Sequence, residues 1–378
     1  MFKLLKNVEL YAPEYRGRQD IFIAFDKIAH ISQSINVPMP LQAEVRDCSG
    51  MLAFPGFIDQ HVHITGGGGE QGPKSIIGPL DAAELIKAGI TTVVGILGDD
   101  GVGKSMQGLL MKARSLDADG LTAYTYTGNY GVPPVTITGR VLTDIAIIDK
   151  VIGAGEIAIS DYRSSYPTRD ELAKLAHEVI TGGMLGEKAG VVHLHVGDGK
   201  SGLHPLFDLL EATDFPISMF VPTHLNRNKA LFEQAVQYHN NGGIIDLTAG
   251  ENTDAGISVP DCLSRLINSG TGLENVTVSS DGNGSGAGAS HTEVGSVMAL
   301  FSDFRTAIRD SGLPLEKVLK AVTENVARIL KLYPAKGRIS VGSDADILLV
   351  GKSSFIPEML IARGRILLEN GNVIGAVN

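Results

Sequence analysis

The chain has 378 residues, of which 43% are hydrophobic and 20% charged, and it contains no tryptophan. That length exceeds one minimal core and suffices for a large barrel with a small companion domain. A formal net charge of −10 excludes a general nucleic-acid binder, which needs a basic face to neutralise phosphates.

Two cysteines, Cys48 and Cys262, lie far apart in the chain. They are too few for a disulfide framework or a cysteine-rich zinc site. Residues 1–9 place polar groups where a signal peptide carries its apolar run. No apolar stretch approaches the ~20 residues of a membrane helix. The expectation is a cytoplasmic protein with neither nucleic acid nor membrane as partner.

Residues 1–52 read as short strands, Phe2–Tyr11 and Asp20–Ile31, without helical period. From about residue 52, β-rich runs alternate with amphipathic segments, the signature of βα units and a parallel sheet. The runs are Leu52–His63, Thr91–Leu97, Leu121–Gly128, Glu156–Ser160, Val191–Val196, Ile217–His224, Ile244–Ala249 and Val276–Asp281. Helical spacing of apolar residues marks Asp81–Ala88, Phe232–Tyr238 and Val318–Leu330. Eight strands in this alternation fit a closed barrel better than an open sheet. Residues 336–378 return to strand character, with Asp346–Val350 and Ile366–Leu368. The expected fold class is α/β: a (β/α)8 TIM barrel over residues 53–335, with 1–52 and 336–378 pairing as one small β-domain.

His61 and His63 end the first barrel run, and period-two geometry puts both imidazoles on one side of the chain. His195, His224 and Asp281 close three further strands. Barrel catalytic groups sit at the C-terminal strand ends, and imidazole suits zinc and similar divalent ions. Any one of these histidines, taken alone, reads as well as a satisfied core residue; four groups at four strand ends do not. His193 shares a face with His195 one layer further from the rim and reads as packed or supporting. His30, His177, His204, His239 and His291 lie in the flank, helices or loops and carry no site reading.

The run Phe54-Pro-Gly-Phe-Ile-Asp-Gln-His61-Val-His63 resembles the first-strand metal motif of the amidohydrolase superfamily, and Lys336-Gly-Arg-Ile-Ser-Val-Gly-Ser-Asp-Ala-Asp346 its closing segment. Further runs are similar to the superfamily's isoaspartyl (β-aspartyl) dipeptidases: Gly66-Gly-Gly-Gly-Glu70, Gly128-Asn-Tyr130, Ile159-Ser-Asp-Tyr-Arg163, Pro222-Thr-His224-Leu-Asn-Arg227-Asn and Ser279-Ser-Asp281-Gly-Asn-Gly-Ser285. The resemblance implies hydrolysis of isoaspartyl dipeptides by a homo-oligomeric enzyme holding two divalent metal ions, zinc foremost. His61 and His63 would hold the more buried ion, and His195 and His224 the other. Asp281 would bind metal and act as general base, and Tyr130 would polarise the scissile carbonyl. Glu70 would take the substrate ammonium, while Arg163, Arg227 and Ser285 would hold carboxylates. A zwitterionic dipeptide needs such a mixture of carboxylate and guanidinium groups.

Two positions depart from the family pattern. Glu156 stands where the family's bridging carboxylated lysine is expected, and it would bridge the metals in its place. Asp99 stands beside the substrate position where these dipeptidases carry threonine, and an added carboxylate there changes which substrates fit.

Two rival readings remain at this level. Gly98-Asp-Asp-Gly-Val-Gly-Lys104-Ser105 satisfies the P-loop pattern G-x-x-x-x-G-K-[ST] after an apolar strand, which would make the chain an NTPase. No later apolar strand ends in a Walker-B-type aspartate with the surroundings of an NTPase. A sibling amidohydrolase, a cyclic-amide hydrolase or a deaminase, would use the same metals on a different substrate.

Overall fold

The computed structural model describes residues 2–36, 42–251, 253–285 and 294–374, so His291 lies outside the described residues. The chain opens with β1 (Phe2–Tyr11), β2 (Tyr15–Ala24), β3 (Lys27–Ser32), β4 (Glu44–Asp47) and β5 (Met51–Pro55). The expected strand Asp20–Ile31 is therefore a hairpin rather than one strand. Ala24 pairs with Lys27, and Phe25 turns the chain with φ 58°. No glycine or asparagine marks that turn, which is why the sequence pattern runs through it.

The barrel follows as β6 (Phe57–Val62), α1 (Ala82–Lys87), β7 (Ile90–Gly95), α2 (Met106–Ala118), β8 (Thr122–Thr127), α3 (Val141–Ile147) and β9 (Val151–Ile159). It continues with α4 (Arg169–Leu185), β10 (Val191–Val196), α5 (His204–Ala212), β11 (Phe220–Thr223), α6 (Lys229–Asn240), β12 (Ile245–Thr248), α7 (Val259–Asn268) and β13 (Val276–Ser279). Helix starts carry side-chain caps that satisfy orphan amides: Asp81 at α1, Ser105 at α2, and a full capping box from Thr168 and Glu171 at α4.

The apolar run Leu52–His63 is also two strands, β5 and β6, parted at Gly56. Burial on both sides hides the break from periodicity. A Cβ on Gly56 would lie 2.3 Å from Thr91 Cγ2, so only glycine fits this crossing between sheets.

Strands β6 to β11 form one parallel sheet in chain order, and β12 pairs parallel with β13. The Leu225 amide donates to Asp246 O at 3.3 Å, and a parallel bridge joins Val62 to Gly282. These contacts curl eight strands into a closed barrel. Ile58, Val94, Tyr126, Ile152, Val191, Val221 and Ile244 fill its lower interior, where Val326, Ala327 and Leu330 close the bottom. Outward-facing Val93, Val192 and Leu194 pack with helix residues such as Leu85, Leu109 and Val179.

The chain then forms α8 (Met298–Arg309), α9 (Leu315–Ala321) and α10 (Glu324–Ile329). The expected helix Val318–Leu330 thus breaks at Val322–Thr323, where the Thr323 hydroxyl donates back to Leu319 O at 2.5 Å. Such back-bonding competes with helix continuation, while the apolar spacing persists across it.

Last come β14 (Ile347–Gly351), β15 (Pro357–Ala362), β16 (Arg365–Glu369) and β17 (Asn372–Val373). They join the first strands in one sheet of order β17-β16-β15-β14-β5-β1-β2-β3, with β4 beside β1. β5 runs parallel to β1 and antiparallel to β14, so both chain ends build the same small β layer. No helix among the described residues is long and apolar enough to cross a membrane.

Candidate metal centre

His61 sits near the end of β6, His63 just past it, Glu156 in β9, His195 in β10, His224 directly after β11 and Asp281 two residues after β13. All except Asp281 are buried. His224 and Asp281 adopt left-handed backbone, with φ 61° and 51°. Such conformations in non-glycine residues cost energy and cluster at functional sites.

Glu156 Oε1 lies 2.6 Å from His195 Nδ1, 3.1 Å from His224 Nε2 and 3.7 Å from His61 Nε2. Asp281 Oδ1 lies 3.3 Å from His61 Nε2 and 3.2 Å from His63 Nε2. Three overlapping triads result: His61, His63 and Glu156; His61, His224 and Asp281; Glu156, His195 and His224. Within each triad the donor atoms lie within 4.8 Å of one another. Glu156 Oε2, His61 Nε2 and Asp281 Oδ1 are buried without hydrogen-bond partners. Orphaned donors and acceptors of this kind are expensive unless a cation gathers them, and imidazole with carboxylate is a donor set for zinc-like ions. The residues therefore fit a divalent metal.

The electrostatics agree. Burial alone would lower the His61 pKa, but the facing Glu156 and Asp281 carboxylates lift it to about 9. Glu156 is held well below the usual carboxylate range: burial opposes this, and the charges of His61 and His195 overcome it. His224 falls to about 3 through burial and the Arg227 charge. A carboxylate this stable as an anion and an imidazole this averse to protonation are both ready ligands.

Above the centre opens a cavity of about 690 Å³, lined by His63, Glu70, Asp99, Tyr130, Arg163, His195, Arg227, Asp281 and Ser285 among others. That size suits a small molecule. Arg163 donates to Asp161 at 2.9 and 3.1 Å and to Glu70 Oε1 at 3.3 Å, and its guanidinium lies over the Tyr130 ring. Ser285 Oγ donates to the same Glu70 oxygen at 2.5 Å. Tyr130 OH lies 2.9 Å from His195 Nδ1, and burial, aided by Glu156, raises its pKa well above the ordinary phenol value. It keeps its proton at neutral pH. Among the described residues Arg227 has no carboxylate partner, and its buried Nε makes no hydrogen bond, so its charge is available to the cavity. The Asp99 carboxylate lines the same space and makes no hydrogen bond among the described residues. Its pKa is raised by burial and by Glu70 and Asp161, with Arg163 opposing.

Asp161 was not singled out from the sequence, yet its Oδ2 lies 2.9 Å from His195 Nε2 and ties that ring to Arg163. The signal available was only its place in Ser160-Asp-Tyr-Arg163, just beyond a barrel strand.

The P-loop pattern resolves differently. Asp100 Oδ1 accepts the Val102 and Gly103 amides at 3.0 and 2.6 Å. Lys104 Nζ reaches Gly67 O and Asp100, and Ser105 caps α2. The amides, lysine and hydroxyl that would cradle phosphate are engaged within the loop, which forms part of the cavity wall.

Comparison with known proteins bears on this geometry. The sequence model of the amidohydrolase family matches residues 253–367. The crystal structure of β-aspartyl dipeptidase from Fervidobacterium islandicum AW-1, in complex with a β-Asp-Leu dipeptide, is 44% identical over 99% of this chain and 98% of its own, with a TM-score of 0.93. The chain belongs to the β-aspartyl dipeptidase family of amidohydrolases. Membership in this family makes it a hydrolytic enzyme. A dihydropyrimidinase from Brevibacillus agri NCHU1002 superposes with a TM-score of 0.68 at 16% identity, over 100% of this chain and 97% of its own, and shows the shared barrel. Among curated relatives, an imidazolonepropionase from Kosmotoga olearia is 39% identical over 18% of this chain, and a dihydroorotase from Elusimicrobium minutum 35% identical over 24%. Each alignment spans only 20% of the relative's own length.

Proposed function

We propose that this chain hydrolyses β-aspartyl dipeptides with two divalent cations, zinc foremost, held by His61 and His63, by His195 and His224, and by Asp281. Glu156 lies between them. The observation that carries the reading is that one Glu156 oxygen meets three imidazoles while the other is buried without a partner. When bound, such a metal pair lowers the pKa of water towards ~7 and polarises a carbonyl.

The chain's own groups supply the rest. Asp281 stands at the cavity floor as an anion, its pKa lowered by His61 and His63 against the effect of burial. It takes a proton during attack and returns it to the leaving nitrogen. Tyr130, protonated beside His195, donates a hydrogen bond to the carbonyl oxygen as charge develops there. A β-aspartyl dipeptide carries one ammonium and two carboxylates. Glu70 answers the ammonium, and Arg227, Arg163 and Ser285 answer the carboxylates. Asp99 adds a negative charge that disfavours acidic leaving residues.

The test is metal analysis of the purified chain followed by assays on β-aspartyl, α-aspartyl and γ-glutamyl dipeptides. About two divalent ions per chain and preference for the β-aspartyl linkage are expected. A preference for cyclic amides or nucleobases would overturn the substrate, and full activity in metal-free protein would overturn the centre.

A further inference from the structure

His193, in β10 two residues before His195, is completely buried and belongs to none of the ligand triads. Its Nε2 lies 2.7 Å from His61 Nδ1. Its ring stacks on Tyr126, with centroids 5.1 Å apart and planes 23° from parallel. From β9, Gly155 closes against it: a Cβ there would lie 2.7 Å from His193 Cβ and 2.8 Å from His193 O. The strands approach so closely only because glycine has no side chain. Tyr126 thus fixes one face of the His193 ring, and Gly155 packs against its Cβ and carbonyl.

The other nitrogen of His61, Nε2, faces Asp281 at 3.3 Å and Glu156 at 3.7 Å. For Nε2 to offer its lone pair to a cation, the ring proton must sit on Nδ1. The atom facing that proton is His193 Nε2. We infer that His193 is a positioning residue of the metal centre, a neutral imidazole that accepts the His61 Nδ1 proton and fixes both the tautomer and the ring angle of His61. Ligand histidines usually lean on a carboxylate, a carbonyl or water. Here a second imidazole takes that place and adds no charge to a site that already gathers Glu156 and Asp281. The inference rests on the proposed reading of His61 as a ligand.

Chelator competition on the zinc-loaded protein tests it, comparing wild type with His193→Gln and His193→Leu. The glutamine amide reaches the position of Nε2 and accepts through its oxygen, whereas leucine fills the space without an acceptor. The leucine variant should hold zinc on the order of 10–100-fold more weakly, and the glutamine variant should recover most of that loss. Zinc binding by His193→Leu equal to wild type overturns the inference. So does an equal loss in both variants while they remain folded, since that marks a packing role. Should substitution prevent folding, nitrogen NMR of histidine-labelled, zinc-loaded wild type decides. A proton on His61 Nδ1 supports the assignment, and zinc at Nδ1 with the proton on Nε2 refutes it. A wild-type chain that takes up no zinc would instead sink the metal-centre reading itself.

Discussion

In the proposed centre Glu156 would bridge by a route that needs no carbon dioxide, because its carboxylate is part of the side chain. Metal loading and turnover should therefore be indifferent to bicarbonate, and Glu156→Ala should lose metal and activity together. Two metals and intact turnover after that substitution would show that another residue joins the triads. Asp99 makes a charge prediction in the same cavity. Among the described residues its carboxylate has no hydrogen-bond partner, and it lies in the field of Arg163 as well as of Glu70 and Asp161. A charge pair in contact with solvent is worth up to about 1 kcal/mol, so Asp99→Asn should raise KM about fivefold for a cationic leaving residue and lower it about fivefold for an anionic one. Comparing β-Asp-Lys with β-Asp-Glu reads this directly, and equal shifts of the same sign on both would place Asp99 outside substrate recognition. The strand-end histidines were legible in the sequence because strand period and barrel rim both point to them. The His61–His193 contact was not, since it joins residues 132 positions apart. Nor was Asp161, whose orientation depends on a loop that has no period to read.

At the scale of elements, strands were legible where one face alternated and breaks were not where both faces were buried. Gly56 and Thr323 each interrupt an apolar pattern that continues on either side. The segment from Lys336 to Asp346 shows the converse, a recognisable motif whose physical role emerges only in three dimensions. Lys336 is buried, with Nζ 2.6 Å from Asp346 and 2.9 Å from Asp344. Asp346 also accepts the Arg363 amide, which ties the link after α10 to β14 and to the turn between β15 and β16. Removing one partner of a buried pair costs about 3–5 kcal/mol, so Lys336→Met should destabilise the chain by that order in denaturant unfolding. The pH dependence has a definite sign. The Lys336 pKa is raised above 10.5: burial opposes this, and Asp346 and Asp344 outweigh it. Its contribution is full below 10.5 and fades as pH rises through the raised value. The Asp344 pKa is lowered from 3.8, again against burial, chiefly by Lys336. Its contribution is present above 3.8 and is lost as pH falls through the lowered value. The difference between wild type and variant should be widest between those limits and shrink in acid; a difference independent of pH would mean that Lys336 acts through packing alone.

For the whole molecule, the eightfold alternation made the barrel legible, and matching strand character at the two ends made the shared β layer legible. The barrel's seam was not, because nothing local distinguishes its first and last strands. Among the described residues, one backbone bridge closes the seam between β6 and β13, that of Val62 with Gly282, where the His63 amide donates to Gly282 O at 2.9 Å, and the side chains of Gln60 and Asp59 add bonds to Thr277 and to the Ser280 amide. The proposed ligands straddle this seam, with His61 and His63 on one side and Asp281 on the other. Metal binding should therefore hold the barrel shut at one of its two weakly laddered junctions, the other lying between β11 and β12. At a free-metal concentration a thousand times Kd, one site stabilises the folded state by about 4.1 kcal/mol. For a chain of this size that amounts to a Tm shift of roughly 5–10 °C. Chelation should lower Tm by that order, and amide exchange should accelerate at His63 and along β13 before it does in β8 and β9. An unchanged Tm, or protection lost evenly around the barrel, would mean that the seam closes without the metals.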